Sequence, residues 1–119
     1  MNILLTGAAG YIGSYLTAYL SKYTSDTIIP LCRKLPDYFE NWRSKFELVE
    51  CDVTNLDDSK ERIPEKIDII IHLAVFNDID TEEMPEKALI VNGIGTRNML
   101  EFAKERECKL FICFSVLQP

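Results

Sequence analysis

The chain has 119 residues, of which 47% are hydrophobic and 27% are charged, a composition typical of one folded domain. Its formal net charge of −6 argues against a broad nucleic-acid surface, which needs clustered Lys and Arg. No apolar run approaches the roughly 18 residues of a membrane span, and the first residues do not resemble a cleavable leader. We therefore expect a soluble, cytoplasmic protein that binds neither nucleic acid nor membranes.

The first predicted elements are a strand over residues 1–5 and a helix whose apolar face carries Ile12, Leu16, Leu20 and Tyr23. Between them, residues 6–13 read TGAAGYIG, with a glycine at every third position. Glycine permits a tight turn and the close approach of a pyrophosphate, and the new helix N-terminus attracts an anion. The flanking strand and helix favour a dinucleotide site over glycines that merely form a turn.

Strands and helices alternate along the rest of the chain. We predict strands over residues 27–32, 46–50, 67–73 and 109–114 and a long helix within 82–107, with Val91, Gly95, Met99 and Phe102 on one face. Thr54 and Asp57 form a capping box for a short helix. Pro30 complicates the second strand because proline donates no hydrogen bond. The alternation predicts an α/β fold, a Rossmann-like doubly wound parallel sheet of about five strands in the order 3-2-1-4-5.

The cysteines and the single histidine are weak candidates for chemistry. No CxxC spacing occurs, and apolar runs contain or adjoin Cys32, Cys51, Cys108 and Cys113. We expect thiols that pack as small hydrophobes in a reducing compartment, not a metal site. His72 has no cysteine or second histidine to complete a metal site. We interpret it as structural, although its ordinary pKa would suit catalysis.

Four blocks resemble the extended short-chain dehydrogenase/reductase family, in particular its NAD-dependent epimerase/dehydratase group, which acts on nucleotide sugars. The blocks are TGAAGYIG at 6–13, CDVT at 51–54, HLAV at 72–75 and VNGIGTRNMLEFA at 91–103. They occur in the family's order and cover nearly the whole chain. The resemblance implies that residues 1–119 form an NAD(P)-binding Rossmann domain, which stops before the sixth strand and lacks the substrate-binding part.

The resemblance also implies a cofactor site. The residues expected against the pyrophosphate are Gly7, Gly10, Tyr11, Ile12 and Gly13. Asp52 and the backbone N–H of Val53 are expected to hold the adenine, the alternative being a solvated carboxylate at a strand end. The residues expected beneath the ribose and nicotinamide, or merely ending a buried strand, are Leu73, Ala74 and Val75. Asn92 is expected to brace backbone between the fourth and fifth strands, unless it simply begins a helix.

The end of the second strand bears on the choice between NAD and NADP. An acid there would accept hydrogen bonds from the ribose 2′-hydroxyl of NAD, whereas arginine would pair with the extra phosphate of NADP. The chain has Cys32, Arg33 and Lys34 at this point and no acid before Asp37. NADP is therefore favoured, unless Arg33 and Lys34 belong to a solvated loop.

Catalysis in this family uses a Tyr-x-x-x-Lys pair and a serine or threonine that hydrogen-bonds the substrate. No Tyr-x-x-x-Lys occurs in the sequence. Ser115 matches the first of two hydroxyl positions after the fifth strand, but the register places Val116 at the catalytic one. Ser115 would contact substrate only after a shift of register. We therefore predict no catalytic residue and no metal ligand in this chain.

Three functions remain open. The first is the cofactor-binding part of a nucleotide-sugar epimerase, dehydratase or reductase, an isomerase or oxidoreductase that is inactive as this fragment. The second is a non-catalytic NAD(P)-binding module or redox sensor, and the third is a truncated, non-functional reading frame. The apolar edge of the fifth strand further predicts a homodimer or aggregation.

Overall fold

The computed structural model describes residues 1–74 and 85–114. Within these ranges, five strands form one sheet in the order β3-β2-β1-β4-β5. In chain order the strands are β1 (Asn2–Thr6), β2 (Thr27–Cys32), β3 (Val49–Glu50), β4 (Ile69–His72) and β5 (Leu110–Cys113). Every neighbouring pair is parallel. The predicted Rossmann-like sheet and its strand order are confirmed.

Helices occupy the connections between strands. They are α1 (Tyr11–Tyr23), α2 (Trp42–Lys45), α3 (Leu56–Arg62), α4 (Pro85–Leu89) and α5 (Thr96–Glu105), with a 3-10 turn at Asp37–Phe39. A π-helical segment, Ile90–Gly95, joins α4 to α5, and the backbone stays helical at both junctions, with φ of −60° at Leu89 and −64° at Thr96. The predicted long helix is thus confirmed over residues 85–105, with an unpredicted wide turn in its middle. No helix in the described ranges is long and apolar enough to cross a membrane.

The core has one layer on each face of the sheet. Successive residues of a strand point to opposite faces, so Leu4 lies in one layer and Leu5 in the other. The first layer also contains Met99 and Phe102 from α5. The second contains Trp42 from α2. Because both faces of the sheet are covered, a binding site is expected at its carboxyl edge, where open α/β sheets bind ligands.

α1 packs on the second layer through both small and large residues. Gly13 and Thr17 are its buried positions, and Leu16 packs beside them. The predicted apolar face is wrong at its two ends, because Ile12 is 50% and Tyr23 is 63% exposed. Gly13 lies so close to the preceding loop that a Cβ there would be 2.0 Å from the Gly7 carbonyl oxygen, whereas Leu16 and Leu20 supply apolar contacts to the second layer.

Pro30 lies in an interior strand without losing a ladder hydrogen bond. The Thr27 N–H bonds to the Met1 carbonyl. The Leu31 carbonyl likewise accepts the N–H of Ala8. Odd-numbered residues of β2 therefore face β1, and Pro30 faces β3. Since the β2–β3 ladder begins at Leu31, the missing N–H falls where no strand is paired.

The predicted start of α3 is wrong by one residue. Its cap is Asn55, whose Oδ1 accepts the Asp58 N–H at 3.0 Å. The Thr54 hydroxyl instead donates to Asp52 at 2.7 Å. Because that turn already uses the Thr54 hydroxyl, the next residue with a polar side chain caps the helix.

The two edge strands differ in what they expose. β3 is confined to Val49–Glu50 and not the predicted 46–50, because the Phe46 N–H still bonds to the Trp42 carbonyl and closes α2. On the other edge, β5 and its end expose Leu110, Ile112 and Phe114. The predicted apolar edge is therefore present in the described part of the chain, and association through it stays a prediction.

Candidate functional site

A cleft of about 450 Å³ lies at the carboxyl ends of the parallel strands. In open α/β sheets ligands bind at this edge, where the strand order reverses. The wall consists of the end of β2 and the residues that follow β1 to β4, and the π-helical segment contributes Val91. The lining residues are Gly7, Ala9, Gly10, Leu31, Cys32, Arg33, Lys34, Cys51, Asp52, Val53, Leu73, Ala74 and Val91. The volume is within the range of small-molecule sites, roughly 300–1,000 Å³.

The structure brings together most of the residues predicted from sequence. Those that line the cleft are Gly7, Gly10, Arg33, Asp52, Val53, Leu73 and Ala74. Tyr11, Ile12 and Gly13 form the first turn of α1, and Asn92 lies in the π-helical segment. Val75 and Ser115 lie outside the described residues.

The glycine loop requires its first glycine. Gly7 has φ of 68°, and a Cβ there would lie 2.6 Å from the carbonyl carbon of Leu73. Gly10 caps α1 without a side chain. The first N–H groups of a helix have no acceptor within it, so those of Tyr11 and Ile12 form the positive end of the α1 dipole. This geometry suits a bound pyrophosphate.

Thr6 joins the end of β1 to the end of β4. Its hydroxyl accepts the N–H of Leu73 at 3.0 Å and that of Ala74 at 3.2 Å. His72 lies beside it and is fully buried. Burial lowers the pKa of His72 to about 4, so the ring is neutral at pH values near 7 and unsuited to act there as a general acid. Sequence analysis missed Thr6, although it is the first residue of the TGAAGYIG block.

Asp52 presents a carboxylate to the cleft. Burial acts to raise its pKa, but the hydroxyl and N–H of Thr54, aided by the charges of Arg33 and Lys87, outweigh burial and lower the pKa. Both Thr54 bonds, at 2.7 and 2.9 Å, go to Oδ1. An amino group of a ligand would therefore donate its hydrogen bond to Oδ2.

The backbone of Val53 is fixed by α5, which packs against it. The Asn98 side chain donates to the Val53 carbonyl at 2.9 Å and is only 5% exposed. A Cβ at Gly95 would lie 2.9 Å from Val53 Cγ2, so glycine allows this approach. Sequence analysis missed Asn98, and its place in the VNGIGTRNMLEFA block was the available signal.

The environment of the thiols in the cleft wall disfavours the thiolate, which is the nucleophilic form. Burial, with a smaller effect of the Glu50 charge, raises the pKa of Cys32 to about 11. Burial also raises the pKa of Cys51. Cys32 and Cys51 belong to different core layers, so they lie on opposite faces of the sheet. Among the described residues, no group of His, Cys, Asp or Glu could hold a metal ion.

The comparisons with known proteins agree with this architecture. The model of the NAD dependent epimerase/dehydratase family matches residues 3–116, which include every segment that lines the cleft. The dTDP-D-glucose 4,6-dehydratase of Dictyostelium discoideum is 34% identical over 96% of this chain and 28% of its own length. The L-threonine dehydrogenase of Clostridium difficile is 34% identical with a TM-score of 0.78, over 93% of this chain and 35% of that one.

A more distant structure shows the fold alone. The UDP-glucose 4-epimerase of Thermus thermophilus, crystallised with NAD, is 22% identical with a TM-score of 0.75, over 93% of this chain and 36% of that one. The chain spans about a third of the length of these relatives. Because the family model covers nearly all of its residues, the chain belongs to the NAD dependent epimerase/dehydratase family.

Proposed function

We propose that this chain is the cofactor-binding domain of a larger NAD(P)-dependent enzyme. The observation that carries the proposal is the convergence of Gly7, Asp52 and Ala74, from three separate strand ends, on one cleft. The family model supports it. The bound dinucleotide would supply the hydride acceptor or donor, and the residues of this chain would bind and orient it.

Each part of the cofactor has a proposed partner in the cleft. The pyrophosphate lies against Gly7 and the first turn of α1, where helix N–H groups favour an anion. The adenine amino group donates to the ionised Asp52, and the Val53 N–H donates to a ring nitrogen. The ribose and nicotinamide lie over Leu73 and Ala74, whose N–H groups are held by Thr6. The roles predicted from sequence for Val75 and Asn92 stay predictions.

NADP is the proposed cofactor in preference to NAD. Arg33 and Lys34 are exposed side chains on the cleft wall. They stand where an acid would otherwise recognise the 2′-hydroxyl of NAD. A guanidinium can form two parallel hydrogen bonds with a phosphate, so Arg33 is the stronger of the two candidates.

The proposed substrate class of the whole protein is a nucleotide sugar. The name of the Dictyostelium relative supports it, whereas the equally identical L-threonine dehydrogenase makes an amino acid the alternative. The reaction would be an oxidoreduction or an isomerisation. These 119 residues contain no Tyr-x-x-x-Lys pair, so no proton transfer is assigned to them, and we expect binding without turnover.

Titration with NADPH and NADH tests the cofactor site. Binding is measured by nicotinamide fluorescence and by energy transfer from Trp42, the single tryptophan. Asp52→Ala should weaken both cofactors alike by about tenfold, because a charge-assisted hydrogen bond is lost. Asp57→Ala, an exposed acid on α3, is the matched control and should change neither. Absence of binding by the wild-type chain, or an unchanged affinity in Asp52→Ala, would contradict the site.

Arg33→Ala tests the preference for NADP over NAD separately. It should weaken NADPH by about tenfold and leave NADH nearly unchanged, because only NADPH carries the 2′-phosphate. Equal or tighter NADH binding by the wild type would contradict the preference for NADP without affecting the dinucleotide site.

A non-catalytic binding module is the second candidate, favoured by the lack of a Tyr-x-x-x-Lys pair in the sequence. Coding sequence after Pro119 separates the two. A Tyr-x-x-x-Lys pair encoded there supports the enzyme, and a stop codon supports the module. A truncated reading frame without function predicts a chain that binds neither cofactor.

A further inference from the structure

The basic pair Arg33–Lys34 lies between two points that are both tied to the β3 segment. Just before the pair, the Cys32 carbonyl accepts the Cys51 N–H at 3.0 Å. Just after it, the Leu35 N–H donates to Glu50 Oε2 at 3.0 Å. Only the two basic residues separate these anchors, so their backbone has little freedom. Their side chains are nonetheless exposed and line the cleft.

Glu50 forms the second anchor with a side chain that is itself fixed. Its other oxygen, Oε1, accepts from Arg43 Nη1 at 2.5 Å. The hydrogen bonds from Arg43 and from the Leu35 N–H lower the pKa of Glu50, so the carboxylate is ionised near pH 7. Glu50 is also the Cα partner of Cys32 in the β2–β3 ladder. The anchor therefore lies directly beside the start of the basic pair.

The cations of this region fall into two groups. Arg43 is paired with both Glu40 and Glu50. Neither Arg33 nor Lys34 forms an ion pair within residues 1–74 and 85–114. Two adjacent cations on an anchored loop suit a phosphate monoester, which carries a charge of about −1.5 to −2 at neutral pH. The anchored backbone of the pair reduces the conformational entropy lost on binding.

We infer that Glu50 sets the cofactor preference of this cleft by holding the basic pair in position for the 2′-phosphate of NADP. Glu50 does not line the cleft, so it acts as a positioning residue through the loop that it anchors. This role rests on the proposed cofactor site. The choice between an acid and an arginine in cofactor recognition concerns only the end of β2. Glu50 is a further residue that affects this recognition from the neighbouring strand, β3.

Dissociation constants of NADPH and NADH for the wild-type chain and Glu50→Ala test this role. Glu50→Ala should weaken the binding of NADPH by about tenfold and change the affinity for NADH by less than about twofold. Adenosine 2′-monophosphate and adenosine 5′-monophosphate should show the same contrast for the adenosine half alone. Glu50→Gln keeps an oxygen for the Leu35 N–H and should give an intermediate loss of NADPH. Glu105→Ala, which removes an exposed partner of Lys60, is the matched control and should change neither affinity.

The outcomes separate this role from the proposed function. Equal weakening of both cofactors by Glu50→Ala means a purely structural role and overturns the inference while the cofactor site stands. Tighter NADPH binding by Glu50→Ala also overturns it, because charge repulsion by Glu50 would then outweigh positioning. A wild type that binds neither cofactor contradicts the proposed function as well.

If Glu50→Ala does not fold, Arg43→Gln removes the guanidinium from Glu50 and should reduce the ratio of NADPH to NADH affinity. An unchanged ratio there overturns the inference.

Discussion

The hydroxyl oxygen of Thr6 lies 2.7 Å from Nδ1 of His72, and both residues are fully buried. The same oxygen already accepts the N–H groups of Leu73 and Ala74. A hydroxyl has two lone pairs and one hydrogen, so its hydrogen donates to the imidazole. Nδ1 is then an acceptor, and Nε2 carries the ring hydrogen, which it donates to the Thr96 hydroxyl at 3.1 Å. The neutral ring thus connects the glycine loop to α5.

This neutral ring predicts a pH-dependent contribution to stability. Burial lowers the pKa of His72 from 6.5 to about 4. Between these values the unfolded chain binds a proton that the folded chain does not, so the free energy of unfolding rises with pH. The contribution is complete above about pH 6.5 and is lost as the pH falls through 4; the full shift corresponds to about 3 kcal/mol.

Urea unfolding of the wild type and His72→Gln measures that contribution. The stability difference between the two proteins should shrink by about 2–3 kcal/mol between about pH 7 and about pH 4.5. Taking the difference removes the titration of carboxylates that both proteins share. Parallel stability profiles would show that the pKa of His72 is unshifted in the folded chain.

Thr6→Val tests the hydroxyl with little change of shape. The Ala74 N–H and Nδ1 of His72 lose a buried partner, whereas the Leu73 N–H keeps the Thr6 carbonyl at 3.2 Å, so the free energy of unfolding should fall by about 1–3 kcal/mol. Thr6→Ser retains the acceptor and should lose less. The control is Thr27→Val at the exposed start of β2, which should stay within about 0.5 kcal/mol of the wild type. Equal stabilities for both valine variants would contradict the bonding at Thr6.

The glycines of the chain should differ sharply in their tolerance of alanine. At Gly13 a Cβ would lie 2.0 Å from the Gly7 carbonyl oxygen, whereas a Cβ at Gly93 would have no atom within 4 Å beyond its chain neighbours and the backbone of its own helix. Gly13→Ala should therefore lower the free energy of unfolding by about 1–3 kcal/mol or more and weaken both cofactors. Gly93→Ala should stabilise by about 0.5–1 kcal/mol, because alanine suits a helix interior better. Urea unfolding followed by Trp42 fluorescence compares them, and similar losses at both positions would contradict the close approach.

The strand order could be predicted from the sequence because apolar runs alternate with helical patterns, and parallel strands need crossovers. The π-helical segment could not. Gly95, Met99 and Phe102 are buried as their spacing predicts, and a wide turn between helices leaves that spacing intact. The start of α3 was equally ambiguous, because Thr54 and Asn55 are both good caps. The partner of Thr54, not its propensity, determines which residue caps the helix.

In the candidate site, too, some residues could be predicted from the sequence and others could not. Glycine positions could be predicted because their function lies in the local backbone. Thr6, Glu50 and Asn98 were missed because each acts on a backbone group far away in sequence: the Asn98 side chain reaches a carbonyl 45 residues earlier. Such pairings depend on register and on helix placement, which no local pattern encodes.

Asn98→Leu tests the connection from α5 to the Val53 carbonyl. Leucine is close in size to asparagine but cannot donate, so the buried Val53 carbonyl would lose its partner, at a cost of about 1–3 kcal/mol in the free energy of unfolding. Because the adjacent Val53 N–H is proposed to hold adenine, NADH, NADPH and adenosine 5′-monophosphate should all bind more weakly. Arg97→Leu on the exposed face of α5 is the control and should change stability by less than about 0.5 kcal/mol. Wild-type affinity for all three ligands in folded Asn98→Leu would remove Val53 from the adenine site.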